Sequence, residues 1–308
     1  MNAPVVLGLD FGGTKIAAAV SEISGDRLGS VTIPSGAEDG AQAALERGIA
    51  AGQALLDEVA GGRQLLAVGA CTFGIPGEDG VRLAPTIPGW GDVAFGRELR
   101  RAFAGAEIRL ATDVKAAAHA EAEWGALVGC DPGIYLNLGT GLAVAIVVNG
   151  LVVHGYHGAA GEIGYNLRRV GDIGTNSKRA PLEEAVSGQA LSQAAWLLRP
   201  PGLGAEAVFR RAHAEPAAAG VLTDFVAELS FHLVNLTIAI DPARIVVGGG
   251  MTRSWEQLRP GLRGALDTAV PYPPELVLAA FPFDAPLMGA LAMSTAAARE
   301  VLQAAAPA

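Results

Sequence analysis

The chain has 308 residues, 51% hydrophobic and 17% charged, which is enough for two domains with buried cores and too apolar for a disordered chain. A net charge of −9, with Lys and Arg numbering 22, provides no basic face for a phosphate backbone, so nucleic acid is not an expected partner. No run of about 18 uninterrupted apolar residues is present, and "MNAPVVLGLD" lacks a basic n-region and a cleavage site. The expectation is a cytoplasmic protein without a membrane partner. Cys71 and Cys130 lie far apart and form no ligand pair, so both are read as buried core thiols. His154 and His157 sit in a glycine-rich segment with no second Cys or His pair, which is not a metal-site pattern.

In chain order, residues 4–9 and 16–20 read as two strands joined by a turn at Gly12 and Gly13, with Val31 to Pro34 as a third. "AQAALERGIAAGQALLDEVAGG" has Leu and Ala at helical spacing and ends on a C-cap signal, Gly61-Gly62. "QLLAVGACTFGIPG" is a buried strand run into a Gly/Pro loop, "IRLATDV" another strand and "KAAAHAEAEWGAL" a helix. Strands alternating with helices imply an α/β fold. "IYLNLGTGLAVAIVVNG" then repeats the opening pattern of apolar strand, Gly-Thr turn and apolar strand. A third glycine turn, in "ARIVVGGGMTRS", follows the long apolar helix "FVAELSFHLVNLTIAI"; "RPPGLGAEAVF" and "PYPPE" read as connecting loops.

Glycine turns at strand ends bear on chemistry because a missing Cβ lets backbone N–H groups converge on an anion. Each alone is an ordinary turn; three together, in an echoed pattern, point to phosphate. A P-loop is excluded, since the only lysines, Lys15, Lys115 and Lys178, follow Thr, Val and Ser. "GLGAEA" fits G-x-G-x-x-A but follows Pro200-Pro201 rather than a strand, so it is not a dinucleotide fingerprint. Neither a G-x-S-x-G elbow nor an H-E-x-x-H helix occurs.

The remaining motifs resemble those of the acetate and sugar kinase, heat-shock ATPase and actin superfamily, and within it the ROK family of bacterial sugar kinases and repressors. "LDFGGTK" looks like that family's first phosphate motif, "NLGTGLAVAI" its second, "VVGGGM" its adenosine motif and "APLMGALAMS" its closing glycine helix. "FGIPG", "APTIPGW", "TDVKAAAHAE" and "HGAAGEIGY" fall in the family's order and spacing. The resemblance covers nearly the whole chain. It implies an α/β, two-lobed, actin-like ATPase (ribonuclease H-like) fold, each lobe a mixed five-stranded sheet with flanking helices. The small lobe would take residues 1–115 with about 287–308, and the large lobe 116–286. ATP, Mg²⁺ and a sugar-like substrate would meet in the cleft, and a homodimer is expected.

By the same resemblance, Gly12, Gly13 and Thr14 wrap the nucleotide phosphates, with Lys15 as a further phosphate contact or a solvated turn lysine. Asp10 faces Mg²⁺ through water, in keeping with an ion that retains its waters and takes few carboxylates. Gly139 and Thr140 hold the phosphates from the other lobe, and Gly248, Gly249 and Gly250 lie against the adenosine. Asp113 is the candidate base, which phosphoryl transfer needs because a hydroxyl attacks poorly until its proton can leave. Its other reading is a helix N-cap, which Asp favours. Substrate contacts carry over to Glu162 and Glu183, whose carboxylates accept hydrogen bonds from vicinal hydroxyls, and to Thr86 and Thr112, where many members have Asn. His157 occupies a loop position close to the sugar in the family, or serves only its own turn.

The sequence departs from the family after the G-E-I-G segment. Typical members place His there, followed by C-x-C-G-x-x-G-C, and bind a structural zinc. This chain has Tyr165, and "NLRRVGDIGTNSKRAP" contains no Cys or His. Zinc is not expected, other packing must hold the loop, and Tyr165 is available to hydrogen-bond substrate. Lys115, Arg168 and Arg169 read as solvated charges flanking the cleft rather than readers of an acidic substrate. The expectation is an ATP-dependent phosphotransferase acting on a primary hydroxyl of a hexose, an amino-hexose or a C7 cyclitol of secondary metabolism. The rival is a sugar-sensing regulator of the same fold without kinase activity.

Overall fold

Residues 3–84, 87–174 and 179–305 are described by the computed structural model. In chain order the elements are β1 (Val5–Phe11), β2 (Lys15–Glu22), β3 (Arg27–Pro34), α1 (Ala41–Val59), β4 (Leu65–Thr72), β5 (Ile75–Pro76), β6 (Val81–Arg82), α2 (Phe95–Ala102), β7 (Glu107–Thr112) and α3 (Asp113–Trp124). There follow β8 (Gly133–Leu138), β9 (Leu142–Val148), β10 (Leu151–Val152), α4 (Gly188–Leu197), α5 (Ala205–Arg211), α6 (Pro216–Ile240), β11 (Arg244–Gly248), α7 (Trp255–Ala269), β12 (Glu275–Leu278) and α8 (Ala285–Ala305). The chain divides into two units, Met1–Glu123 with Asp284–Ala308, and Trp124–Phe283. The first unit thus keeps α3, which the sequence reading divided from it at residue 115.

In the first unit the strands run β3-β2-β1-β4-β7. The β1–β2–β3 meander is antiparallel, while β4 and β7 join in parallel, as crossover helices require. β1 and β4 are apolar at nearly every position because they lie inside the sheet, with α8 packed on both and α1 packed on β1 and β2. Gly69 makes the first packing possible: a Cβ there would lie 1.9 Å from the Ala290 carbonyl oxygen of α8. β3 is longer than the segment read from the sequence because it is a half-exposed edge strand, added by pairing to β2 rather than by apolar content. α1 ends as expected, on left-handed Gly61 and Gly62. Phe11, Phe95 and Trp90 pack at the carboxyl ends of the strands, the Phe11 and Phe95 rings edge-to-face at 5.1 Å.

The second unit repeats this wiring, β10-β9-β8-β11-β12, with the same senses of pairing. The echo in the sequence is therefore architectural: β8, β9 and β11 stand where β1, β2 and β4 stand in the first sheet. β9 turns into β10 through Asn149 and Gly150, both at positive φ, the residues that a tight hairpin demands. The core joins Ile134, Leu136 and Val247 of the sheet to Phe225, Leu229 and Leu233 of α6 and Leu258, Leu262 and Leu266 of α7. By length and composition α6 is apolar enough to span a bilayer, a feature that a test for uninterrupted apolar runs does not detect. "RPPGLGAEAVF" is not all loop: after Gly204, at φ 72°, α5 forms because Ala207, Val208 and Phe209 are buried.

Candidate active site

In the first unit, two carboxylates emerge from the carboxyl edge of one sheet. Asp10 is the penultimate residue of β1, Asp113 opens α3 directly after β7, and β4 runs between, with Cys71 registered against both Asp10 and Ala111. The Cys71 thiol shares its one proton between Asp10 Oδ1 at 3.6 Å and the Pro286 carbonyl at 3.4 Å. Burial pushes the Asp10 carboxyl up to about 6, against the Cys71 hydrogen bond and the Lys15 charge. Burial, then repulsion from Asp10, pushes Asp113 up to about 6, against the Val114 amide and the Lys115 charge. Burial and both carboxylates push the Cys71 thiol up, so it remains protonated and can donate. The reading of Cys71 as a buried thiol holds; its bond to Asp10 was not legible, because the partners are 61 residues apart.

The N-cap reading of Asp113 is corrected. Thr112 Oγ1 accepts the Lys115 N–H at 3.2 Å and so caps α3, whereas Asp113 Oδ1 takes the adjacent Val114 N–H at 2.8 Å. Thr112 is buried and its hydroxyl serves that cap, so it offers little to a sugar. Thr86 lies outside the described residues. Lys115 is not a solvated charge: its side chain is fully buried, drawn in by a helix face that packs under α8.

The first glycine turn is closed by Gly12 N–H donating to the Lys15 carbonyl at 3.0 Å. Ser35 anchors it from β3's end, Oγ donating to the Gly13 carbonyl at 2.8 Å and N–H to the Thr14 carbonyl at 3.0 Å. Sequence reasoning missed Ser35. The carbonyls are thereby turned into the protein, and the side chains of Thr14 and Lys15 are exposed.

In the second unit the Gly139–Thr140 turn is held by α4, whose Gly188 and Gln189 N–H groups donate to the Gly139 and Thr140 carbonyls at 2.9 and 3.1 Å. Ser187 caps that helix, Oγ accepting from Ala190 at 3.0 Å. Gly249 must be glycine twice over: its φ is 89°, and a Cβ would lie 2.5 Å from the Leu138 carbonyl oxygen. The two turns line a cavity of about 500 Å³, with Gly139, Thr140 and Gly250 on one side and Gln189, Ser192, Phe209, Met251 and Arg253 around them. Apolar walls with a few polar groups suit a planar base and a ribose. Of these residues the sequence pointed to the glycines and Thr140; the rest come from α4, α5 and the turn after β11, which only packing assembles.

Glu162, Tyr165 and Glu183 are brought together. Burial and then the Glu183 and Glu162 charges push the Tyr165 phenol up, which keeps it a donor. Gly164 joins the ends of the intervening segment, its carbonyl accepting from both Leu182 and Glu183 at 3.1 Å. Glu183 Oε2 accepts the Leu142 N–H at 2.8 Å, tying the group to the start of β9, just beyond the Gly139–Thr140 turn. His157 stands on the exposed preceding loop, edge-to-face with Tyr156 at 4.8 Å. Arg168 is ion-paired to Glu228 rather than simply solvated, and Glu184, beside Glu183, is ion-paired to Arg179. Among the described residues no group of three or more His, Cys, Asp or Glu is placed to hold a metal ion.

Comparison with known proteins accords with this architecture. The profile of the ROK family matches residues 6–297. Kanosamine kinase of Amycolatopsis mediterranei (strain S699) is 30% identical over 273 residues, 86% of this chain and 87% of that protein. The crystal structure of the ROK hexokinase from Thermus thermophilus superposes with a TM-score of 0.80 at 30% identity, covering 97% of this chain and 99% of that one. A ROK glucokinase from Streptomyces griseus, in complex with glucose and AMPPNP, superposes with a TM-score of 0.74 at 25% identity, over 94% and 98%. The two like-wired sheets are the actin-like ATPase fold of these enzymes, and the chain belongs to the ROK family, as a kinase.

Proposed function

We propose that the protein transfers the γ-phosphoryl group of ATP to a primary hydroxyl of an amino-hexose. The observation that carries the phosphotransfer is Asp113: a shielded carboxyl, raised to about 6 and relieved of capping by Thr112, is ionised at neutral pH yet basic enough to accept a proton. It takes the proton of the acceptor hydroxyl as the bond to phosphorus forms. The turns at Gly12–Thr14 and Gly139–Thr140 hold the phosphates through the N–H groups of Gly13, Thr14 and Thr140, with Lys15 beside them, and the 500 Å³ cavity lined by Gly250, the last glycine of Gly248-Gly249-Gly250, takes the adenosine.

Asp10 fits Mg²⁺. It is a hard oxygen donor at the carboxyl edge of the sheet, and a single carboxylate with waters meets that ion's preference. When bound, Mg²⁺ supplies charge neutralisation at the donor phosphates. Glu162, Glu183 and Tyr165 orient the ring. Two carboxylates beside one phenol favour a ring bearing an ammonium, and the similarity to kanosamine kinase supports that choice over a neutral hexose or a cyclitol.

The test is ADP release against hexoses, amino-hexoses and C7 cyclitols, with NMR to place the phosphate. An amino-hexose should show the highest kcat/KM; a hexose of equal kcat/KM would overturn the amino-sugar assignment. Asp113→Asn should lower kcat by about 10²–10⁴-fold while calorimetric nucleotide binding persists. Parallel loss of both would make Asp113 structural.

A further inference from the structure

The segment between Glu162 and Glu183 carries the proposed sugar contacts at its two ends, joined at Gly164, and it makes an excursion in between. Its ends are packed, with Leu182 in the core, but among the described residues of the excursion Leu167, Val170 and Ile173 are 46%, 84% and 70% exposed. Its sequence contains no Cys or His from Asn166 to Pro181. Between those ends the described attachment to α6 is an ion pair. Arg168 reaches α6 with a two-pronged fork, Nε to Glu228 Oε1 at 2.6 Å and Nη2 to Glu228 Oε2 at 3.0 Å. The fork bridges a hollow of about 210 Å³ lined by Ala185, Leu191, Val221 and Phe225, so apolar contact is thin where the ion pair is made.

The geometry behind the fork is itself braced. Asp172 Oδ2 accepts the N–H groups of Arg168 and Arg169 at 3.0 and 3.2 Å, which sets the backbone from which Arg168 extends. At the far end Arg179 Nε donates to Glu184 Oε1 at 3.1 Å, next to Glu183. The Arg168 hydrogen bonds hold the Glu228 carboxyl below its usual range, so it is ionised. His232 lies 3.9 Å from Glu228, but burial pushes it down and leaves Arg168 as the cation on that carboxylate.

We infer that the Arg168–Glu228 fork is a positioning device that holds the sugar-binding segment on α6 and so sets affinity for the acceptor, without touching it. The inference rests on the reading of Glu162, Tyr165 and Glu183 as sugar ligands. A planar guanidinium suits the task because two parallel hydrogen bonds fix orientation as well as distance.

The experiment compares full-length wild type, Arg168→Ala, Glu228→Gln and the exchanged pair Arg168→Glu with Glu228→Arg, using steady-state kinetics and amide hydrogen exchange over residues 162–184. Each single change should raise the acceptor KM about 5–20-fold, leave kcat within about twofold and leave the KM for ATP unchanged. Exchange in 162–184 should quicken, and the exchanged pair should recover more than half of both effects. A KM and an exchange rate unchanged in the single variants would overturn the inference, as would no recovery in an exchanged pair with wild-type Tm. Should wild type release no ADP with any sugar, the proposed function fails instead, and the fork is judged by hydrogen exchange alone, where unchanged protection rejects it.

Discussion

Cys71 donates to Asp10 across the β1–β4 ladder, its Sγ 3.6 Å from Oδ1. The two residues are partners in register on adjacent parallel strands, so the thiol meets the carboxylate by virtue of the sheet rather than of any loop. The same thiol bonds Pro286 at the start of α8, and one small side chain thereby links the proposed Mg²⁺ carboxylate to the helix beneath it.

Cys71→Ala should therefore loosen Asp10 and raise the Mg²⁺ concentration for half-maximal activity by about 3–10-fold, the loss of one ordinary hydrogen bond. Cys71→Ser keeps a donor and should restore part of that loss. A Mg²⁺ titration of initial rate decides, and coincident curves for all three proteins would reduce Cys71 to packing.

The pH dependence follows from two carboxyls raised from 3.8 to about 6. The ionised form is the base, so kcat/KM should rise with pH through about 6 and then level. The limb belongs to the Asp10–Asp113 pair rather than to either residue. Stability runs the other way: a folded-state pKa above the unfolded value contributes stability that is full below about 4 and lost as pH rises through about 6. Asp113→Asn removes a shielded charge and should raise stability at pH 7 by on the order of 1–3 kcal/mol, with little change at pH 4. Thermal melts at the two pH values test the sign.

The seating of α8 makes a third case. A Cβ at Gly69 would lie 1.9 Å from the Ala290 oxygen, whereas one at Gly61 has open space around it and only φ 56° to oppose it. Gly69→Ala should cost about 2–4 kcal/mol, and Gly61→Ala about 1 kcal/mol. Urea unfolding compares them. Equal costs would mean that α8 can shift away from β4 freely.

What the amino-acid order determined by itself is what depends on near neighbours. Strand–glycine–strand at Val5–Glu22 and again at Gly133–Val148, the long apolar helix, and an Asp where a strand meets a helix are all written within a few residues by periodicity and turn chemistry. The motifs around them sufficed to assign the family and its fold. Tertiary structure alone decided what depends on partners far along the chain: Cys71 under Asp10, Thr112 rather than Asp113 as the cap, Lys115 buried, Ser35 on the first turn, and Arg168 on Glu228, 60 residues away. α5 belongs with these, since its Pro- and Gly-rich approach hides a helix that only burial of Val208 and Phe209 stabilises. The physical reason is one of range. Periodicity and turn residues report forces between near neighbours, whereas strand register and helix packing choose which distant side chains share a site, and the charge and hydrogen bonding of that site follow from the choice.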